Sequence, residues 1–251
     1  MAFRFRLFGL HLLTSACLLS LVWGVLFFGW YRWPGWYLAG ALGVTAIMAG
    51  VDIVLGPSLT LLIANPKKPR RELVRDISMI GTVQLVALIY GAITLWHGRP
   101  LYFTYSERFL EMVQAEDLNS EQVALGRQLN PTLAPHWWSL PRWIYVPLPK
   151  DQKKAEQIMA EAITGGDDVI QMPRYYQPWA NGLPEMRRNL RIVDKMTELG
   201  TKDRKIAAER MRKLGFAPDQ PVALPMLGRG KPLVAVIDPT TAEIKALIRV
   251  D

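Results

Sequence analysis

The residue whose type and position most invite chemistry is Asp52, a carboxylate inside an otherwise uncharged apolar run over residues 36–63. A charge near the middle of a membrane span costs about 2.5–3.5 kcal/mol on insertion scales, so such a group faces protein, finds a donor or stays protonated. Counted by helical rise it lies ~20 Å from Asn65, level with Tyr90 and Ser20 in two neighbouring apolar runs, with Gln84 a turn or two lower. Gly56 and Pro57 follow one turn later, where proline removes a backbone hydrogen bond. Three roles stay open for Asp52: a buried bond between helices of this chain, contact with a partner's membrane helix, or a proton-relay or transport role, for which one acid and three helices make a poor path. The small-residue pairs Ala39/Gly43, Ala46/Gly50 and Ala87/Gly91 allow close helix approach and fit self-packing or partner docking equally.

Catalytic and metal chemistry find little support. The histidines are His11, His97 and His136, no two of them four residues apart, and Cys17 is the lone cysteine. No zinc pattern can be assembled from these, so neither a metal nor another cofactor is expected. Gly165-Gly-Asp-Asp168 evokes the acidic pair of nucleotide cyclases, but it follows a helix and reads as a glycine stop and polar turn. Gly228-Arg-Gly-Lys-Pro232 fails as a phosphate loop, because Pro225 holds the first glycine position and Pro232 replaces the Ser/Thr. With no Gly-x-Ser-x-Gly elbow either, no catalytic residue is nominated and the chain is not read as an enzyme.

The elements that must position Asp52 follow from where charge lies. Of 251 residues with net charge +8, residues 1–96 hold 8 Lys/Arg and 3 Asp/Glu and are strongly apolar, whereas the remainder is nearly balanced. Helices of about 7–29, 36–63 and 77–96 are each long enough to cross ~30 Å of hydrocarbon. The first apolar run is too long for a cleaved signal peptide, and Thr14 suits a lipidation site at Cys17 poorly, so this helix is expected to stay. Arg4 and Arg6 precede it, and Lys67, Lys68, Arg70, Arg71 and Arg75 crowd the connection between the second and third spans. The positive-inside rule puts these residues in the cytoplasm and residues 98–251 on the far side, the periplasm of a Gram-negative bacterium. That placement argues against nucleotides and nucleic acid as ligands and leaves the lipid bilayer as the partner of the basic cluster.

The fold class expected is a three-helix transmembrane region, residues 1–97, followed by an α+β extracytoplasmic domain, residues 98–251. In that domain a hairpin is predicted over 101–105 and 108–113, helices over 119–129, 151–164, 184–199 and 202–214, and a terminal hairpin over 233–237 and 244–250. Residues 130–149, rich in Pro and Trp, suit an extended segment. The aromatic loops at 136–145 and 174–179 could bind a protein or a sugar, or pack on the domain or the bilayer surface.

An ordered series of segments then carries a resemblance over most of the chain. Gly50-Val-Asp-Ile-Val-Leu-Gly-Pro-Ser-Leu-Thr-Leu61, Gln84-Leu-Val-Ala-Leu-Ile-Tyr-Gly91, Arg99-Pro-Leu-Tyr102, Glu107-Arg-Phe109 and Ala115-Glu-Asp-Leu118 resemble the type IV pilin accessory proteins of the TfpX/TfpZ family. Pro173-Arg-Tyr-Tyr176, Leu224-Pro-Met-Leu-Gly-Arg229 and Val236-Ile-Asp238 continue it. Departures are Glu107, where the family pattern has aspartate, and a terminal turn, Pro239-Thr-Thr-Ala242, without its glycine. The resemblance implies an inner-membrane chaperone or modulator of pilin assembly whose partner is a cognate major pilin, with other pilus components and self-association left open. With it, Asp52, Gly56, Pro57, Gln84 and Tyr90 become the candidate intramembrane contact, and Arg99, Arg108, Tyr175, Tyr176 and Trp179 the candidate periplasmic one. The alternative is a membrane-tethered periplasmic enzyme or sugar-binding module using the Trp/Tyr-rich loops.

Overall fold

Leucine, isoleucine and phenylalanine point outward from three long helices while Ser15, Thr45, Asp52, Thr60 and Gln84 turn inward, the pattern of a chain dissolved in lipid. The computed structural model describes residues 2–251 in two units, residues 2–32 with 41–97, and residues 33–40 with 98–251. The first unit holds the three helices long and apolar enough to cross a membrane. The first is α1 (Ala2–Gly29), which starts five residues before the expected 7 and takes Arg4 and Arg6 into its opening turns.

The second span differs most from the helix predicted over 36–63. Gly40 adopts φ +65, which a continuing helix cannot, so residues Gly35–Leu38 form a separate turn of helix, α2, in the other unit. The span proper runs as α3 (Leu42–Ala49), a π-helical stretch (Gly50–Leu55) and α4 (Gly56–Ile63). The third, α5 (Arg70–His97), begins earlier than 77 because Pro69 starts a helix well: its carbonyl accepts the N–H groups of Glu72 at 3.0 Å and Leu73 at 3.1 Å. Arg70, Arg71 and Arg75 thus stand on a helix and not in a loop, while Lys68 pairs with Asp76.

The second unit is built on a seven-stranded mixed sheet of β1 (Pro100–Ser106), β2 (Phe109–Gln114), β3 (Arg142–Tyr145), β4 (Gln177–Pro178), β5 (Ala223–Leu227), β6 (Leu233–Ile237) and β7 (Ile244–Arg249), in the order β4-β3-β1-β2-β5-β6-β7. The β1–β3 and β2–β5 pairs are parallel, the others antiparallel. Alternation decides the two faces. Leu233, Ala235 and Ile237 join Phe103, Tyr105, Leu110 and Met112 on one side, while Val234 and Val236 meet Val193, Met196, Ala207 and Met211 on the other.

The helices are α6 (Ser120–Leu129), α7 (Gln152–Ile163), α8 (Leu183–Asn189) and α9 (Thr201–Lys213). Asn119 and Asp151 cap α6 and α7 through the N–H groups of Gln122 and Lys153. The helix predicted over 184–199 stops at Asn189. There the side chain donates to the Glu107 carbonyl at 2.7 Å, and Arg191 pairs its backbone with Ala223. The rest of that segment is irregular, with Val193, Met196 and Leu199 buried on the second core. Within the extended stretch 130–149, β3 is a strand the sequence reading does not resolve.

Residues 33–40 belong to this unit for a visible reason. Tyr37 and Leu38 lie in the first core, the Leu38 carbonyl accepts the Gly230 N–H at 2.5 Å, and the Arg249 guanidinium sits 5.0 Å over the Tyr37 ring. Gly228 and Gly230 allow this approach, since a Cβ at 228 would stand 2.6 Å from the Leu38 carbonyl oxygen and one at 230 would overlap the Tyr37 carbonyl. Gly230→Ala is therefore expected to destabilise the protein by about 1–3 kcal/mol. Gly43→Ala, whose Cβ meets open space, should stay within about 0.5 kcal/mol. Thermal unfolding in detergent, followed by intrinsic tryptophan fluorescence, measures both.

Candidate functional site

Pro57 has no N–H, and the helix around it is wound to suit. In the π-helical stretch the Gly56 N–H reaches back five residues to the Val51 carbonyl. The next bond in that register would join residue 57 to the Asp52 carbonyl, and proline cannot make it. Gln84 of α5 supplies the donor: its Nε2 lies 3.2 Å from the Asp52 carbonyl oxygen and 3.4 Å from that of Val51. Gly56 makes the approach feasible, because a Cβ there would overlap the Gln84 carboxamide.

The rest of the network follows from the orientation of that amide. With Nε2 turned to two carbonyls, Gln84 Oε1 faces His11 Nε2 of α1 at 2.6 Å. An amide oxygen only accepts, so His11 carries its hydrogen on Nε2. In the neutral ring Nδ1 then accepts from the Thr60 hydroxyl of α4, 2.5 Å away. One chain of hydrogen bonds thus ties all three spans, and Asp52, Thr60 and Gln84 are buried where the surrounding helix surface is apolar. Asp52 Oδ2 has no hydrogen-bond partner among the described residues.

Of the five residues nominated for the membrane, Asp52, Gly56, Pro57 and Gln84 come together and Tyr90 does not. Tyr90 is 74% exposed, and Ser20, expected at the level of Asp52, is exposed as well. His11 and Thr60 were not nominated, although a polar ring in an apolar run calls for a partner. What hid them was the assumption of a straight α-helix, because the π turn changes which face follows Asp52. The small-residue pairs divide: Gly91 packs on Met48, with a Cβ there falling 2.6 Å from its Sδ, while Gly43 and Gly50 face open space.

The five residues nominated in the second unit do not form one surface. Arg99 is buried and donates to the Trp137 carbonyl at 3.1 Å. Arg108 is exposed at the β1–β2 turn, where its carbonyl accepts from Arg191. Tyr176 is buried, its hydroxyl on the Ile170 carbonyl at 2.6 Å and its ring 4.8 Å from that of Tyr102. Burial pushes its phenol well above the usual range. Trp179 packs on the core against Trp143, ring centres 5.3 Å apart. Tyr175 and Tyr176 line one open cleft, about 670 Å³, with Lys150, Lys154 and Arg174 in its wall.

Gly56→Ala is expected to displace the Gln84 carboxamide, losing its bonds to Asp52 and His11 together and destabilising the membrane unit by about 1–3 kcal/mol. Denaturation in bicelles measures the loss, with Gly50→Ala as the variant that should leave stability unchanged.

No family model matches the chain, and no solved structure matches it. Among the curated proteins that match are fimbrial assembly proteins of Dichelobacter nodosus. The serogroup I protein is 23% identical over 253 residues, 99% of this chain and 96% of the relative. The serogroup E1 protein is 22% identical over 254 residues, with the same 99% and 96% coverage. The protein of serogroups C1 and C2 is 30% identical over 121 residues, which is 48% of this chain and 92% of the relative. The ordered segments around Asp52, Gln84, Tyr102 and Tyr176 and this similarity point the same way: the chain belongs to the family of fimbrial assembly proteins, the type IV pilus accessory proteins.

Proposed function

We propose that this protein serves type IV pilus biogenesis as a non-enzymatic, pilin-specific chaperone or assembly modulator in the bacterial inner membrane, with its N-terminus cytoplasmic and its second unit periplasmic. The observation that carries the reading is similarity along the whole chain: two fimbrial assembly proteins match over 99% of it, so both units belong to what is shared.

Sidedness has independent support from packing. Residues 33–40 join the first span to the second and are bonded into the same unit as Gly230 and Arg249. Lys67, Lys68, Arg70 and Arg71 stand at the opposite ends of the spans, as a cytoplasmic cluster should.

The membrane unit offers a place for a partner's apolar helix. A groove of about 660 Å³ between α1 and α3 is lined by Gly24, Ala46 and Ala49, with Trp23, Phe28 and Leu42 among its larger residues. Small residues let a helix backbone come close. Trp23 Nε1 has no hydrogen-bond partner among the described residues. Asp52 is 4% exposed and serves inside the bundle, so the groove, not the carboxylate, is the proposed contact. The reading as an enzyme or sugar-binding module has less to stand on, because Trp143, Tyr176 and Trp179 are spent on packing.

The test is photocrosslinking in cells that assemble pili, from Phe28 and Leu42 on the groove and from Tyr175 in the cleft. Capture of the major pilin is expected from the groove. Gly24→Leu adds bulk where a Cβ meets open space, so it should lower capture and surface piliation without lowering the amount of protein. Absence of pilin from every crosslinked product would contradict direct contact.

A further inference from the structure

On the second face of the sheet, α7 covers the β1–β2 hairpin without filling the space beneath it. The cavity left is about 200 Å³, with walls of Phe109, Leu148, Ile158 and Ile163 and with Ser106, Glu107, Glu111 and Asp168 as its polar lining. Ser106 pairs with Phe109 and Thr104 with Glu111 across the two strands, so these four residues share the face that α7 covers.

This cavity has no use in the packing of the domain. Ser106 is 6% exposed, and its hydroxyl has no hydrogen-bond partner among the described residues. Neither Glu111 nor Asp168 has an ion-pair partner there, although the nearby acids Glu116 and Asp117 are both matched by Arg229. Burial, then the charges of Asp168 and Asp117, push the Glu111 carboxyl up to about 7. A half-buried acid held among acids, beside an unused buried hydroxyl and with no cation, is a site missing its positive charge.

The chemistry of the lining selects the cation. Calcium and magnesium take six or more oxygen ligands, and among the described residues no three acidic, His or Cys side chains converge closely enough to hold a metal ion. A guanidinium is wide and planar, and a cavity of about 200 Å³ walled by Ile158 and Phe109 suits it less well than a narrow ammonium head. An unbranched alkyl chain ending in an ammonium fits both parts, its methylenes against the walls and its three N–H donors toward Glu111, Asp168 and Ser106. The mouth favours a protein as the carrier of that group: Met159 and Ile163, 47% and 86% exposed, present an apolar rim that a free amine would leave in water.

We propose that the cavity under α7 is a socket for a lysine side chain of a partner protein, with Glu111 and Asp168 receiving the ammonium and Ser106 accepting its third hydrogen. The inference is independent of pilus biogenesis and stands or falls on its own measurement.

The full chain in nanodiscs, labelled with carbon-13 at Glu side-chain carboxyls, is titrated with Nα-acetyl-lysine N-methylamide, with the isosteric norleucine amide and with pentylamine. Expected are a saturable shift of the Glu111 signal by the lysine amide only or most tightly, a fall in the pH at which Glu111 titrates, and proton release on binding near pH 7. Glu111→Gln keeps the shape and removes the buried charge, so it should fold and bind the probe at least tenfold more weakly. Asp168→Asn should weaken it in the same direction. Three outcomes would overturn the proposal: no saturable shift, which makes this a water-filled cavity; equal binding of the norleucine amide, which makes it merely apolar; or tighter binding of pentylamine, which assigns it to a free amine.

Discussion

A missing N–H at Pro57 is the constraint around which the membrane unit is built. In lipid an unpaired carbonyl has no water to turn to, so the Asp52 carbonyl must be met by protein. Gln84 meets it, Gly56 stays small to let Gln84 in, and His11 and Thr60 complete the chain of bonds to the first span. Helix association in a bilayer has little hydrophobic drive of its own, which gives such bonds a share in fixing how the three helices face one another. Individually they are modest, averaging about 0.6 kcal/mol where measured between membrane helices. Their value here is in number and direction, since one amide meets two carbonyls and a ring at once.

In the proposed role, that fixed bundle matters through what it leaves outside. With the polar groups turned inward, the exterior is free to be apolar and uneven, and the groove at Gly24, Ala46 and Ala49 is a consequence. A protein assisting another membrane helix needs a surface that accepts it without trapping it. Small residues and aromatic walls supply area for contact, while the buried network keeps strong hydrogen-bonding groups out of reach. Within the second unit, residues 33–40 are tied into the core through Tyr37 and Leu38.

Much of this was legible in the sequence. Uncharged runs gave three spans, Asn119 and Asp151 marked the starts of two helices, and alternating apolar residues gave the first and last hairpins. Three features were not legible, each for a physical reason. Helical rise along a straight α-helix put Asp52 level with Tyr90 and Ser20 and Gln84 lower, whereas around the π turn Gln84 meets the Asp52 carbonyl, His11 joins it, and Tyr90 and Ser20 stay outside. Residues 36–40 read as the start of a span because they are apolar, yet their apolar side chains serve another core. The helix predicted over 184–199 ended early because Asn189 and Arg191 had tertiary partners in Glu107 and Ala223, which local periodicity does not contain.

The direct measurement of the central claim is a double-mutant cycle between Pro57 and Gln84, read as unfolding free energy in bicelles. If Gln84 stands in for the absent N–H, Gln84→Leu should cost about 1 kcal/mol more with Pro57 present than with Pro57→Ala, whose restored N–H can serve the backbone itself. Losses that add to within about 0.3 kcal/mol would contradict that role and leave Gln84 as a packing residue only.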